Sequence, residues 1–263
     1  MPRSVPTSRL PAALALAAGW ALSTLACSSV PFPAPTATPT ATSTPTSTST
    51  PSPTPTATLT PTRTIPPTVS YQDWPIVLSD SFDDNDNGWP VGEYDDEYVH
   101  GTRSISDGKY LIEITAKEPL FWWFPPDAES LQDFYLSAEG NKLEGPADSN
   151  YGLVFRDSEK MEYYFQILPD TQKYGVFMFD GQMWSTLIDH TFSSQIERHG
   201  SNQLAVLAQS SHFTFFINGK EVDTATDDTL KKGRAGVGFC VYHAGDELRL
   251  EFDHFELRAP KNR

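Results

Sequence analysis

YGLVFRDSEKMEYYFQIL, residues 151–168, decides the fold. Two runs rich in aromatic and branched residues flank the polar segment Asp157-Ser158-Glu159-Lys160. Side chains alternate along an extended strand. In the first run Tyr151, Leu153 and Phe155 therefore share one face, and Gly152, Val154 and Arg156 share the other. In the second, Tyr163, Phe165 and Ile167 oppose Tyr164 and Gln166. Each run has one apolar face and one mixed face, so the pair predicts a hairpin with one side buried.

The same signals repeat outward. KYLIEIT (109–115) follows the turn Ser106-Asp107-Gly108, and EPLFWWF (118–124) and DFYLSA (133–138) are further runs. Lys173–Phe179 and Gln182–Ile188 are joined by Asp180-Gly181, a two-residue hairpin signal. Gln203–Gln209, His212–Ile217, the turn Asn218-Gly219 into Lys220–Thr224, RAGVGFCVY (234–242) and ELRLEFDHFEL (247–257) complete the series. No helical period competes from Tyr71 onward. About a dozen short strands at this spacing predict an all-β sandwich or barrel. Six Trp and 16 Phe suit a core between two sheets. Residues 71–263 suffice for one such core and are short for two.

The first 70 residues are different. They contain no Asp or Glu and three bases, Arg3, Arg9 and Arg63. The other 16 of the 19 Lys and Arg stand with all 34 acids in residues 71–263, a formal charge of -18. Such a domain repels phosphate backbones and anionic membranes, which argues against a nucleic-acid partner.

Residues 1–27 read as an export signal. A short basic start precedes the apolar stretch LPAALALAAGWALSTLA (10–26), too short for a permanent span. Cys27 follows Ala26 directly, and Thr24-Leu25-Ala26-Cys27-Ser28 resembles the lipobox of bacterial lipoproteins. That resemblance implies lipidation at Cys27 and an address on the outer face of the cell membrane, with membrane contact through the lipid alone. The alternative is an ordinary signal cleaved near Ala26 and a secreted product. Residues 28–70 read as a disordered linker. Pro31 to Val69 is almost wholly Pro, Thr, Ser and Ala and holds 11 of the 22 prolines. It has no apolar period, so nothing offsets the entropy of ordering it. As extended polyproline, about 40 residues reach about 100 Å. The segment is either a bare spacer or an O-glycosylated stalk.

Certain residues, taken in order, have a family look. They are Phe82 with Gly88-Trp89, Tyr151–Arg156, Tyr163-Tyr164-Phe165, Trp184, Gly200–Leu204, Phe216–Lys220 and the closing Phe252–Leu257. Over residues 78–258 the chain resembles the concanavalin A-like lectin/glucanase superfamily, with laminin G-type domains. The nearest branch is the bacterial domain labelled 3-keto-disaccharide hydrolase. The resemblance implies a two-sheet antiparallel jelly roll whose concave sheet meets carbohydrate. The superfamily holds enzymes and binding modules, so fold alone does not select between them.

Sugar recognition needs ring faces for C–H groups and polar side chains for hydroxyls. Arg156, Tyr164 and Gln166 are expected to line the groove, with Trp123 and Trp184 as platforms. The structural alternatives are an ion pair for Arg156 and core packing for the tryptophans. Asp83-Asp84-Asn85-Asp86-Asn87-Gly88 matches the first half of a calcium loop, with Asp83, Asn85 and Asn87 as ligands. The twelfth-position Glu of that motif is missing, and a polar turn is the competing reading. No other cofactor is expected. Glu93, Asp95 and Glu97 share a strand face as in family 16 glucanases. Their alternate positions are Tyr94 and Asp96 rather than apolar residues, which favours a solvated acidic loop. The six His have no metal-ligand spacing, and two cysteines make no disulfide framework. Cys240 reads as a buried small hydrophobe. The expectation is a surface lipoprotein that binds carbohydrate or an envelope glycan without catalysis. A glycosidase acting on a glycan or keto-disaccharide, and an adhesion or structural module with a protein ligand, are the alternatives.

Overall fold

The computed structural model describes residues 70–158 and 160–261. The expected signal segment, Cys27 and the Pro/Thr tract to Val69 lie outside the described residues. Fifteen strands follow in order: β1 (Ile76–Asp80), β2 (Gly92–Asp95), β3 (Val99–Ser106), β4 (Lys109–Ala116), β5 (Leu120–Phe124), β6 (Phe134–Glu144), β7 (Asn150–Ser158) and β8 (Met161–Leu168). Then come β9 (Lys173–Phe179), β10 (Trp184–Phe192), β11 (Asn202–Gln209), β12 (His212–Ile217), β13 (Lys220–Thr226), β14 (Arg234–Val241) and β15 (Glu247–Arg258).

They form two antiparallel sheets. The nine-stranded sheet runs β13-β12-β11-β6-β15-β4-β3-β2, with β1 paired to β15. The six-stranded sheet runs β10-β9-β8-β7-β14-β5. This is the two-sheet jelly roll that the family resemblance implies, built from strands that the alternating runs predict.

The hairpin at residues 151–168 sits at the centre of the smaller sheet. Leu153 pairs with Phe165 and Phe155 with Tyr163. Its inward rings meet the larger sheet across the core. Phe155 lies 5.3 Å from Phe213 between centroids, and Phe165 lies 5.0 Å from Phe215. The apolar side chains of one cluster, from Leu78 to Ala259, are closed off from water. Burial of this apolar area drives the folding, and it lies within the strands themselves.

Before β1, Tyr71 stacks on Tyr135 at 4.2 Å. Tyr135 alternates with the core residues Phe134 and Leu136 on β6, so it faces outward from the nine-stranded sheet. Arg258 donates to the carbonyls of Gln72 and Trp74. The chain thus enters the sandwich on the outer face of the larger sheet.

Arg156 departs from the strand alternation. The pairing of β7 with β8 shifts register between Phe155 and Ser158, and Arg156 has φ 53°. This bulge turns its side chain off the outer face. The guanidinium is 1% exposed and donates to the carbonyls of Leu230 (2.7 Å), Gln132 (2.8 Å) and Ser210. It also lies 4.8 Å from the centroid of Phe213. Arg156 therefore locks loops at one end of the sandwich. The expectation that it lines the groove is corrected, and its partners are carbonyls rather than acids.

Candidate functional site

The outer face of the six-stranded sheet is built from every second residue of its strands. Register brings Trp184 (β10), Phe179 (β9) and Glu162 (β8) into one row, with Asp157 and Arg234 continuing it across β7 and β14. Phe177, Tyr164, Val154 and Gly236 form the next row, and Gly175, Gln166, Gly152, Gly238 and Trp123 the one after. The floor of the central strands is nearly bare. A Cβ on Gly152 or Gly236 would collide with the carbonyl oxygen of Phe165 or Phe124. Close approach at these glycines goes with a strongly curved sheet.

That curvature has a visible result. Phe121 on edge strand β5 and Trp184 on the opposite edge strand β10 meet with centroids 5.0 Å apart, nearly perpendicular. Phe121 lies 4.8 Å from the Tyr164 ring, Tyr164 lies 6.3 Å from Trp184, and Trp184 packs at 5.1 Å on Phe179. The rings form an aromatic bridge over the middle of the face. Phe121 and Trp184 keep part of their surface in water, while Tyr164 beneath them is buried.

Polar groups lie on both sides of this bridge. Tyr164 Oη donates to Asn150 Oδ1 at 2.7 Å, and Asn150 Nδ2 donates to Tyr242 Oη at 2.9 Å. Burial pushes the Tyr164 hydroxyl well above its ordinary range, so it stays a donor. Gln166 Nε2 and His190 Nε2 are 2.8 Å apart. An amide nitrogen only donates, so His190 accepts there and is neutral. Partial burial, aided by Lys173, holds the imidazole below its usual pKa, in agreement.

The other cluster is acidic. Arg234 donates through Nε (3.1 Å) and a terminal nitrogen (2.8 Å) to one oxygen of Asp157. The same guanidinium lies 5.3 Å from the Trp123 ring. Burial raises the Asp157 pKa and Arg234 works against that rise. Glu162 lies beside Asp157 and is 5% exposed. Burial first, and the Asp157 charge second, push its carboxyl up to about 8. At neutral pH Glu162 is a neutral carboxylic acid.

Of the residues expected from sequence, Tyr164, Gln166, Trp184 and Trp123 share this face, and Arg156 leaves it. Sequence reasoning missed Glu162, Asp157, Arg234, Asn150 and His190. The signal for Glu162 was present. It stands two residues before Tyr164 in EYYFQIL and shares its parity.

The acidic loop is a different construction. Asp83 accepts from the Ser81 hydroxyl at 2.7 Å, and the Asn85 side chain clips both the N–H (2.8 Å) and the carbonyl (3.0 Å) of Trp89. Asn87 donates to Asp80 at 2.8 Å. These side chains hold a turn. Among the described residues no group of three His, Cys, Asp or Glu is placed to hold a metal. Glu93 and Asp95 lie on β2, an edge strand of the other sheet, and are exposed along with Glu97. Glu93 and Asp95 are solvated as expected but stand on a strand rather than in a loop, and Asp95 pairs with Lys117. The outer face of the larger sheet has a shallow depression of about 270 Å³ lined by His100, Glu113 and Arg249. Its arginine is already paired with Glu113 (2.7 Å) and Glu144 (2.8 Å).

Comparison with known proteins agrees with this architecture. A family model described as a 3-keto-alpha-glucoside-1,2-lyase-like domain matches residues 77–258. Among solved structures, a beta-glucanase from Bacillus licheniformis is 10% identical with a TM-score of 0.54, covering 69% of this chain and 97% of that one. The catalytic domain of an endo-1,3-beta-glucanase (laminarinase) from Thermotoga petrophila is 12% identical with a TM-score of 0.51, covering 72% and 99%. A Bacillus subtilis protein of unknown function with a galectin-like fold is 10% identical with a TM-score of 0.51, covering 70% and 95%. At these identities the likeness shows the fold. No curated protein matches the chain.

Proposed function

The chain belongs to the 3-keto-alpha-glucoside-1,2-lyase-like domain family, and from that premise we propose that it recognises carbohydrate on the outer face of its six-stranded sheet. One observation carries the reading: Trp184 and Phe121 remain partly open to water while held rigidly by neighbouring rings. Rigid, half-exposed rings beside fixed polar groups suit the two-sided chemistry of a sugar. Arg234, partly exposed and fixed by Asp157, supplies the polar side, above the buried Gln166 and Asn150. We place this domain at the end of a Pro/Thr stalk, anchored outside the cell through a lipid on Cys27. The acidic charge of the domain fits this arrangement, because it keeps the folded part off an anionic surface.

The test is a glycan array probed with the chain and with Trp184→Ala. Binding to a restricted set of glycans, lost in the variant, supports the reading. Equal binding by both proteins removes the face from the mechanism. Mass spectrometry of the mature N-terminus tests the anchor, and a start at any residue other than a lipidated Cys27 ends it.

A second reading has its own observation. The family model's description names a lyase acting on a 3-keto-alpha-glucoside, and the superfamily includes glycosidases. Recognition is common to a binding module and an enzyme. What divides them is whether a group on the face can exchange a proton with bound sugar. Glu162, neutral at pH 7 beside Asp157, favours the enzyme.

A further inference from the structure

Glu162 is buried without being satisfied. It is 5% exposed, yet among the described residues no hydrogen bond or ion pair reaches its carboxyl. Nor are its oxygens among the buried side-chain atoms that are sealed from solvent without a partner. The carboxyl is therefore open toward the groove while its stem is enclosed. A carboxyl enclosed at its stem, reached by solvent and without a protein partner is free to bond a ligand. Its surroundings are simple. β9 sets Phe179 at the paired position, and β7 presents Asp157, behind which β14 supplies Arg234. Asp157 is the charge that acts on it. The Arg234 guanidinium joins this pair to the Trp123 ring, so the acid belongs to the same face as the platforms.

We infer that Glu162 is a catalytic acid: enclosed by Asp157 and Phe179 with its carboxyl open to the groove, it protonates the leaving oxygen of a glycoside bound on the aromatic face. This rests on the carbohydrate-binding reading and goes beyond it. In the step, the Glu162 proton moves to the glycosidic oxygen. The bond between that oxygen and the anomeric carbon breaks, and its electron pair stays on the oxygen. A water oxygen then bonds to the anomeric carbon, and the surplus proton of that water returns to Glu162. One water is consumed, one glycosidic bond is lost, and both products carry a new hydroxyl. The carboxylic acid has the right form for this at neutral pH.

The probes are α- and β-linked glucose disaccharides and their 3-keto derivatives, offered to the full chain and to Glu162→Gln. Product release is followed by chromatography and binding by calorimetry. The wild type is expected to cleave at least one probe, with kcat falling above about pH 8. Glu162→Gln is expected to keep Kd within about threefold and to lose about 10²–10⁴ in kcat. Should the variant not fold, the wild-type profile decides, and a kcat flat from acid to alkaline pH overturns the acid. Binding without cleavage by the wild type overturns it too and leaves the recognition reading standing. Failure to bind any probe overturns both, and a Glu162→Gln as active as the wild type overturns the acid alone.

Discussion

Replacing Arg156 by Met should destabilise the domain severely while leaving the groove chemistry intact. The long apolar stem is kept, so the change removes the guanidinium and little volume. Three carbonyls, of Leu230, Gln132 and Ser210, lose their donor at once. The contact with the Phe213 ring goes too. A hydrogen bond to a charged group contributes about 1.5–3 kcal/mol, but values inside one network do not add. Leaving three buried carbonyls without a donor, at about 1–3 kcal/mol each and less than additive, costs about 3–5 kcal/mol in all. For a domain of this size each kcal/mol moves Tm by about 2–4 °C. The expected fall is therefore about 6–20 °C, with a matching drop in urea midpoint at unchanged m-value. Arg156→Lys should recover part of it, because one ammonium reaches fewer carbonyls than a planar fork. Thermal and urea unfolding of the two variants measure this. A loss under about 1 kcal/mol, together with lost glycan binding, would refute the reasoning and return Arg156 to the groove.

Trp184→Ala removes one half of the aromatic bridge and should weaken glycan binding at least about tenfold, with a stability loss near 1–2 kcal/mol from the lost ring contacts; calorimetry and melting on the same sample separate the two. Glu162 makes stability depend on pH. Its folded pKa, about 8, lies above the usual 4.5, so the folded state holds the proton longer and stability falls as pH rises from about 4.5 through about 8. Glu162→Gln should flatten that slope in urea titrations at pH 5, 7 and 9, and an unchanged slope would count against the buried acid. Asp80 accepts from the Phe82 N–H, Asn87 and the Trp89 indole. Asp80→Ala should cost about 2–4 kcal/mol by leaving those donors unpaired, whereas millimolar calcium should leave Tm unmoved; a calcium-dependent rise would support Asp83, Asn85 and Asn87 as ligands.

Strand alternation made the fold legible. Turn signals such as Asp180-Gly181 and Asn218-Gly219 cut the chain into its strands, and the parity of 151–168 assigned the core correctly on both runs. Parity also put Tyr164 and Gln166 on the outer face. It failed at Arg156 because a bulge resets alternation, and nothing in VFRDS announces a residue with positive φ. The pairing of Asp157 with Arg234 joins residues 77 apart in sequence, a long-range contact that no local pattern encodes. Glu162 was legible as a groove residue by position. Its unusual acidity was not, because that depends on which neighbours enclose it. The calcium-like spacing of Asp83, Asn85 and Asn87 was real as a pattern, but Asn85 and Asn87 serve equally well to clip a turn.

The entry of the chain at Tyr71 also sets how the molecule carries a load. A pull transmitted through the residues before Ser70 arrives first at the Tyr71–Tyr135 stack and then at β1, which is laced to β15. β15 is held by β1, β4 and β6, whereas among the described residues β1 pairs with β15 alone, so tension works on the β1–β15 ladder before it reaches the rest of the sheet. The aromatic face lies on the opposite side of the sandwich, turned away from the point where the chain enters at Tyr71. Under the proposed anchoring and recognition, a cargo held there would hang on the side of the sandwich away from the tether.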